Sequence, residues 1–198
     1  MKILLCIDDT DNLESKGTGS IASEIKEIIE QNKWGICGFT TRHQLLLHKD
    51  VPYTSHNSSM CFEAEIKENN YQDIVKTSSQ YLENESAEGS DPGICIAIVD
   101  KIKNKEKLIN YGVKAKRQII KKEEAYKIAK DLDIYLAEKG GDGQGVIGAL
   151  AGVGLRLDGN DGELKGGVPK LEKNKYYKVS EMLKYKQIDK VCQANIQP

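Results

Sequence analysis

Long apolar runs are missing from this chain: no stretch of its 198 residues approaches the roughly 20 consecutive apolar residues of a membrane-spanning helix. The opening "MKILLCIDD" carries one lysine and an apolar run of about five residues, short of the about 7–15 of a secretory signal core. A soluble, unexported protein is predicted. Cysteine pairs are also missing. The five cysteines, Cys6, Cys37, Cys61, Cys95 and Cys192, are odd in number, widely spaced and form no CxxC. Neither a disulfide framework nor a zinc ribbon is indicated, and a reducing cytoplasm fits. A surplus of positive charge is absent as well: the net charge is -1 and the pI about 6.3, which argues against coating nucleic acid by bulk charge. No repeat or low-complexity linker occurs.

What is present is an ordinary globular balance, 39% hydrophobic and 30% charged, enough for a single compact unit. Ile3 to Ile7 read as a buried central strand. "GTGSIASEIKEIIEQNK" places Ile21, Ile25, Ile28 and Ile29 on one helical stripe, with Thr18 or Ser20 as N-cap. Gly38 to His48 look like a second strand, and "SMCFEAEIK" alternates as a third, with the hydroxyl-rich loop "KDVPYTSHNSS" between them. A helix over Asn70 to Leu82 and a strand in "DPGICIAIVD" complete the order β-α-β-β-α-β. The fold class predicted is α/β (α+β, two-layer), ferredoxin-like in outline, with added C-terminal helices and a Gly-rich loop-helix. The added parts are one or two helices from Lys101, and a helix in "EEAYKIAKDLDIYLAEKGG" carrying Leu132 and Leu136 and stopped at Gly140. After them come a short small-residue helix, a strand pair turning at Asp158 to Gly162, and a short helix near Ser180 to Tyr185. Residues 1–166 are expected to form the main domain and 167–198 a Lys-rich extension packed on it.

Three motifs carry chemistry. "DDTD" places Asp8, Asp9 and Asp11 at the end of the first strand, where hard cations and phosphates are held in open α/β sheets; the alternative is simple turn chemistry. A turn needs one acid, whereas three within four positions call for a counter-charge. "KGTGS" sets Gly17 and Gly19 around Thr18 at a helix start, a seat for phosphate or a commonplace helix entry. "GDGQGVIG" places Gly143, Gly145 and Gly148 as GxGxxG. A helix rather than a strand precedes it, so it reads as a second anion-binding helix start or as close packing, not as a dinucleotide fingerprint.

His43 and His48, five apart on a strand, face opposite ways and share no metal; His56 in the hydroxyl-rich loop is a candidate contact to substrate or phosphate. Lys101 to Lys122 holds nine Lys/Arg against one Glu, and Lys165 to Lys190 eight Lys against three acids with Tyr176, Tyr177 and Tyr185 among them. Such runs are solvated faces or a nucleic-acid surface.

In this order the blocks resemble the N-terminal kinase domain of the archaeal tRNA-isoleucine agmatinylcytidine synthetases. "CIDDTDNLESKGTGS" is similar to that family's G-I-D-D-T-D-S strand end and following turn, matching at Ile7 to Asp11 and at Gly17. "VPYTSHNSS" stands in place of its Pro-x-Lys-Thr-Arg-Gly-Asn-Gly loop, "DPGICIAIV" resembles its N/D-P-G strand, and "GQGVIGALAGVG" its R-G-L-I-G-A block. The resemblance runs from Met1 to about Gly166.

The resemblance implies use of ATP and Mg²⁺ to phosphorylate a cytidine of tRNA. Asp8, Asp9 and Asp11 would hold metal and triphosphate, and the Gly-rich blocks would line the nucleotide; Asp8 and Asp11 are the expected metal ligands and Asp9 a second metal contact or a catalytic base. It also implies an autophosphorylated position after the first strand, at Thr18 or Ser20. The chain departs from the family where Thr54, His56, Ser58 and Ser59 replace the loop's Lys, Arg, Asn and Gly, and where Gln144 replaces Arg. It ends at Pro198 without cysteine pairs for a zinc ribbon or room for an OB-like domain. The expectation is a short homologue, an Mg²⁺-dependent ATP-using phosphotransferase whose acceptor is tRNA or a small molecule, with room for self-association. Its rivals are a non-catalytic nucleotide-binding module and an RNA-binding accessory protein.

Overall fold

The computed structural model describes residues 1–51, 57–165 and 175–185. The chain divides into two compact units, Met1–Lys165 and Gly166–Pro198. In the first, the strands are β1 (Lys2–Asp8), β2 (Gly35–Gln44), β3 (Ser58–Ile66), β4 (Gly93–Ile98), β5 (Tyr135–Glu138) and β6 (Glu163–Lys165), and the helices α1 (Thr18–Gln31), α2 (Tyr71–Glu85), α3 (Lys105–Ala115), α4 (Lys122–Leu132) and α5 (Gly145–Asp158). In the second, the described residues contain α6 (Val179–Met182). No helix among the described residues is long and apolar enough to cross a membrane.

The six strands form one antiparallel sheet in the order β5-β4-β1-β3-β2-β6. Its β4-β1-β3-β2 heart is the ferredoxin-like arrangement expected from the βαββαβ order. β1 is central and apolar on both faces, as its unbroken run predicts. Ile3, Leu5 and Ile7 pack with Ile21, Ile25 and Ile29 of α1 and Ile74 and Leu82 of α2. Leu4 and Cys6 point the other way, under α3, α4 and α5. Each fully buried Ile or Leu contributes roughly 1.5–3 kcal/mol. The added helices thus cover the far face of the two-layer core as a third layer.

The structure corrects several local expectations. The helix beginning at Lys122 ends at Leu132 rather than running to Gly140, because Asp133 takes a left-handed conformation (φ 61°, ψ 48°) and its N–H returns to Ala129 O. Tyr135–Glu138 then pairs with the open edge of β4, so Leu136 belongs to a strand although it keeps the helical spacing after Leu132. The small-residue helix is long, running through Arg156 to a left-handed cap at Gly159, and β6 pairs with Thr40–Arg42 of β2 instead of forming a local hairpin. Gly17, not Thr18 or Ser20, is the N-cap of α1.

Close packing accounts for part of the glycine pattern in α5. A β-carbon on Gly154 would overlap Leu108 O of α3, and one on Gly152 would overlap Cys6 Sγ and Ser59 Oγ. Bare backbone therefore lets α5 lie directly on β1, β3 and α3.

Candidate functional site

Antiparallel pairing brings the C-terminal ends of β1 and β2 to the same edge as the starts of β3 and β4: Asp8 lies opposite Gly93, Ile7 opposite Met60, and Gln44 opposite Ser58. α1 starts at this edge from one face of the sheet. α5 starts there from the other, with Gly145 against Asp8 O. The acids of "DDTD" therefore stand between two helix N-termini, each with a partial positive charge.

Asp8 is 8% exposed; burial pushes its carboxyl well above the ordinary carboxylate range, and the charge of Asp9 adds to this. A β-carbon on Gly148 would overlap the Asp8 carboxylate, so the third glycine of GxGxxG makes room for that side chain. Asp9 has a left-handed backbone (φ 53°), and its pKa is raised to about 6 by burial and then by the charges of Asp91 and Asp11. Asp11 takes part in a hydroxyl relay: Thr10 Oγ1 donates to Thr18 Oγ1 at 3.0 Å, and Thr18 Oγ1 donates to Asp11 Oδ1 at 3.3 Å. Thr10 and Thr18 are buried, Ser20 exposed.

The two Gly-rich starts differ. At α5, Gly145 N–H donates to Asp91 O (2.9 Å), Val146 N–H to Gly143 O and Ile147 N–H to Gln144 O (3.0 Å), so its first donors are engaged within the fold. At α1, the N–H groups of Thr18 and Gly19 have no acceptor among the described residues. Gly17 lies beside Asp11, whereas Gly19 borders Met60 on the apolar side and Gly143 presses on Glu138. The "NLESK" segment is a folded turn: Asn12 Oδ1 accepts from Glu14 N–H (3.0 Å) and Ser15 N–H (2.9 Å), and Lys16 pairs with Glu24 and Glu85. His56 and Thr54 lie outside the described residues.

Among the described residues no three His, Cys, Asp or Glu side chains form a ready-made metal-ligand set. Crowded carboxylates with raised pKa values are nevertheless the donor chemistry that a hard cation relieves. Mg²⁺ in particular is commonly held by one or two carboxylates, with waters and phosphate oxygens completing the shell.

Sequence reasoning passed over two groups. Asp91 was visible only as the turn residue of "DPG". His43, fully buried, has Nε2 2.8 Å from Thr41 Oγ1 and Nδ1 2.9 Å from Asp161 Oδ1, and Asp161 also binds Lys116. This has the order of a nucleophile, base and orienting acid, but Thr41 is only 2% exposed and its hydroxyl also donates to Cys61 O, so the group pins β6 to β2. Within the basic run Lys101 to Lys122, the five residues Lys101, Lys107, Lys114, Lys116 and Lys122 pair with Glu68, Asp131, Glu124, Asp161 and Glu138.

No family model matches the chain, and no curated protein matches its sequence. Among solved structures it is similar to a tRNA fluorescent labelling enzyme, with 25% identity and a TM-score of 0.67 over 78% of this chain and 36% of that one. It is also similar to apo TiaS, an isoleucine-tRNA agmatidine synthetase, with 24% identity and a TM-score of 0.65 over 78% of this chain and 35% of that one. The complex of TiaS with its tRNA and ATP gives 24% identity and a TM-score of 0.67 over 78% and 36%. The chain thus shares its fold with these proteins while spanning about a third of their length.

Proposed function

We propose that the Met1–Lys165 unit is an Mg²⁺-dependent, ATP-using phosphotransferase, related in its chemistry to the modification of tRNA. The observation that carries this reading is the row of carboxylates set between the N-termini of α1 and α5. A fold shared with a protein solved with tRNA and ATP supports it. Asp8, Asp9 and Asp11 would hold the ion, which when bound supplies charge neutralisation on the phosphates. The open N–H groups of Thr18 and Gly19 are oriented donors for phosphate oxygens at a helix start. Asp9, which burial and the charges of Asp91 and Asp11 make more basic than an ordinary carboxylate, would be either a second contact to the ion or the base that takes a proton from an attacking hydroxyl. Thr18, tied to Asp11, rather than exposed Ser20, is the position for autophosphorylation. His56 would contact the acceptor, either tRNA or a small molecule. Gly145 and Gly148 set the wall behind Asp8, Gly143 packs on Glu138 in the turn before it, and the N–H groups of Gly143 and Gly145 are engaged within the fold rather than free.

The test is ADP release from ATP with tRNA transcripts and small hydroxyl or amine acceptors. Wild type above an Asp8→Ala variant supports the reading, and equal background rates for both with every acceptor overturn it. One observation favours a second reading: Gln144, a neutral side chain, occupies the N-cap of α5. A nucleotide-binding module without transfer would return bound ATP unchanged, as chromatography of the released ligand shows.

A further inference from the structure

We propose that Asp91 is a positioning residue of this site, holding the turn at residues 140–145 against the carboxylate edge; the inference rests on the nucleotide reading above. Asp91 precedes Pro92 and β4. Its carboxylate accepts the Asp142 N–H, and its carbonyl accepts the Gly145 N–H at 2.9 Å. From the other side Lys122 Nζ donates to Asp142 O at 2.6 Å and to Glu138 Oε2 at 2.9 Å, while Tyr126 donates to Glu138 Oε1 at 2.9 Å. Asp142 is therefore gripped at both its N–H and its C=O.

The turn has no slack. Gly141 and Gly143 have positive φ (52° and 68°), and a β-carbon on either would overlap the carboxylate of Asp91 or of Glu138. Its last residue, Gly145, lies against Asp8 O, and one helical turn further Gly148 lies against the Asp8 side chain. Any shift of the turn therefore moves the wall that shapes the acid edge. Asp91 reaches that edge directly through its charge beside Asp9, and indirectly through the backbone of α5. An acid placed here adds to local repulsion, a cost that hydrogen bonding to the turn offsets.

The test uses the full chain, Mg²⁺-ATP and its non-hydrolysable analogue, with calorimetry for affinity and hydrogen exchange for the turn. Losing a charge-assisted hydrogen bond should weaken nucleotide binding in Asp91→Ala about tenfold or more, with faster exchange at Asp142. Asp91→Asn keeps an acceptor oxygen and should bind within about threefold of wild type. Lys122→Met, which releases the turn from the opposite side, should also weaken binding, by about threefold. If wild type binds no nucleotide, the functional reading falls and takes this inference with it. If wild type binds and Asp91→Ala binds equally well, the inference alone falls. Equal losses in Asp91→Asn and Asp91→Ala would make the charge and not the hydrogen bond decisive, and overturn the positioning role.

Discussion

Gly148 of α5 lies so close over the Asp8 carboxylate that the position has no room for a β-carbon. Gly148→Ala should therefore destabilise the fold by about 1–3 kcal/mol, the usual cost of overpacking, and displace Asp8. At Gly19 a β-carbon would meet Met60 at an ordinary 3.8 Å, so Gly19→Ala should be tolerated and even stabilising by up to about 1 kcal/mol through helix propensity. Urea unfolding separates the two, and matching midpoints would refute the packing account.

Asp9 should act against stability at neutral pH. Its folded pKa of about 6 exceeds the ordinary 3.8, so the fold prefers the protonated acid. That stabilisation is complete below about pH 3.8 and is lost as pH rises through about 6. Asp9→Asn, which also suits the left-handed backbone, should unfold at higher urea than wild type at pH 8. The ceiling is about 3 kcal/mol and the gain smaller, because the side chain is partly exposed and screened. The advantage should shrink toward pH 4 while phosphotransfer is lost. An equal advantage at both pH values would contradict the assignment.

His43 should slope the other way. Burial lowers its pKa below 6.5, and the hydrogen bond and charge of Asp161 only partly offset this. The neutral ring is the folded form, so its contribution is complete above about pH 6.5 and is lost as pH falls through the depressed folded value. Imidazole resonances should titrate below 6.5 in wild type and lower still in Asp161→Asn. A midpoint above 6.5 would remove the burial argument.

Thr18 and Ser20 should part company under ATP. Mass spectrometry is expected to find phosphate on Thr18, none in Thr18→Val, and wild-type labelling in Ser20→Ala. Thr18→Val also breaks the relay from Thr10 to Asp11 and should cost about 1 kcal/mol. Phosphate on Ser20 would reverse the choice.

The strands and helices of the βαββαβ core were legible because periodicity reports burial: β1 is apolar throughout, and β3 alternates Met60, Phe62 and Ala64 against Cys61 and Glu63. Elements decided by distant pairing were not. Leu136 continues the spacing of Ile128 and Leu132, and only the left-handed Asp133 and the waiting edge of β4 turn it into a strand. In the candidate site the acids announced themselves by crowding. Asp91 did not, since its partners Asp142 and Gly145 come from a later segment, nor did His43, whose partner Asp161 is 118 positions away.

The contact between Asp8 and Gly148 also bears on how the protein acquires function. The first strand supplies one partner and the last long helix of the unit the other, so the edge is complete only when α5 docks over nearly the whole unit. Closing so long a loop is among the slower steps available to a chain of this topology. A ligand spanning both partners would be bound by the finished fold and not by its precursors, so its affinity would add directly to the free energy of unfolding.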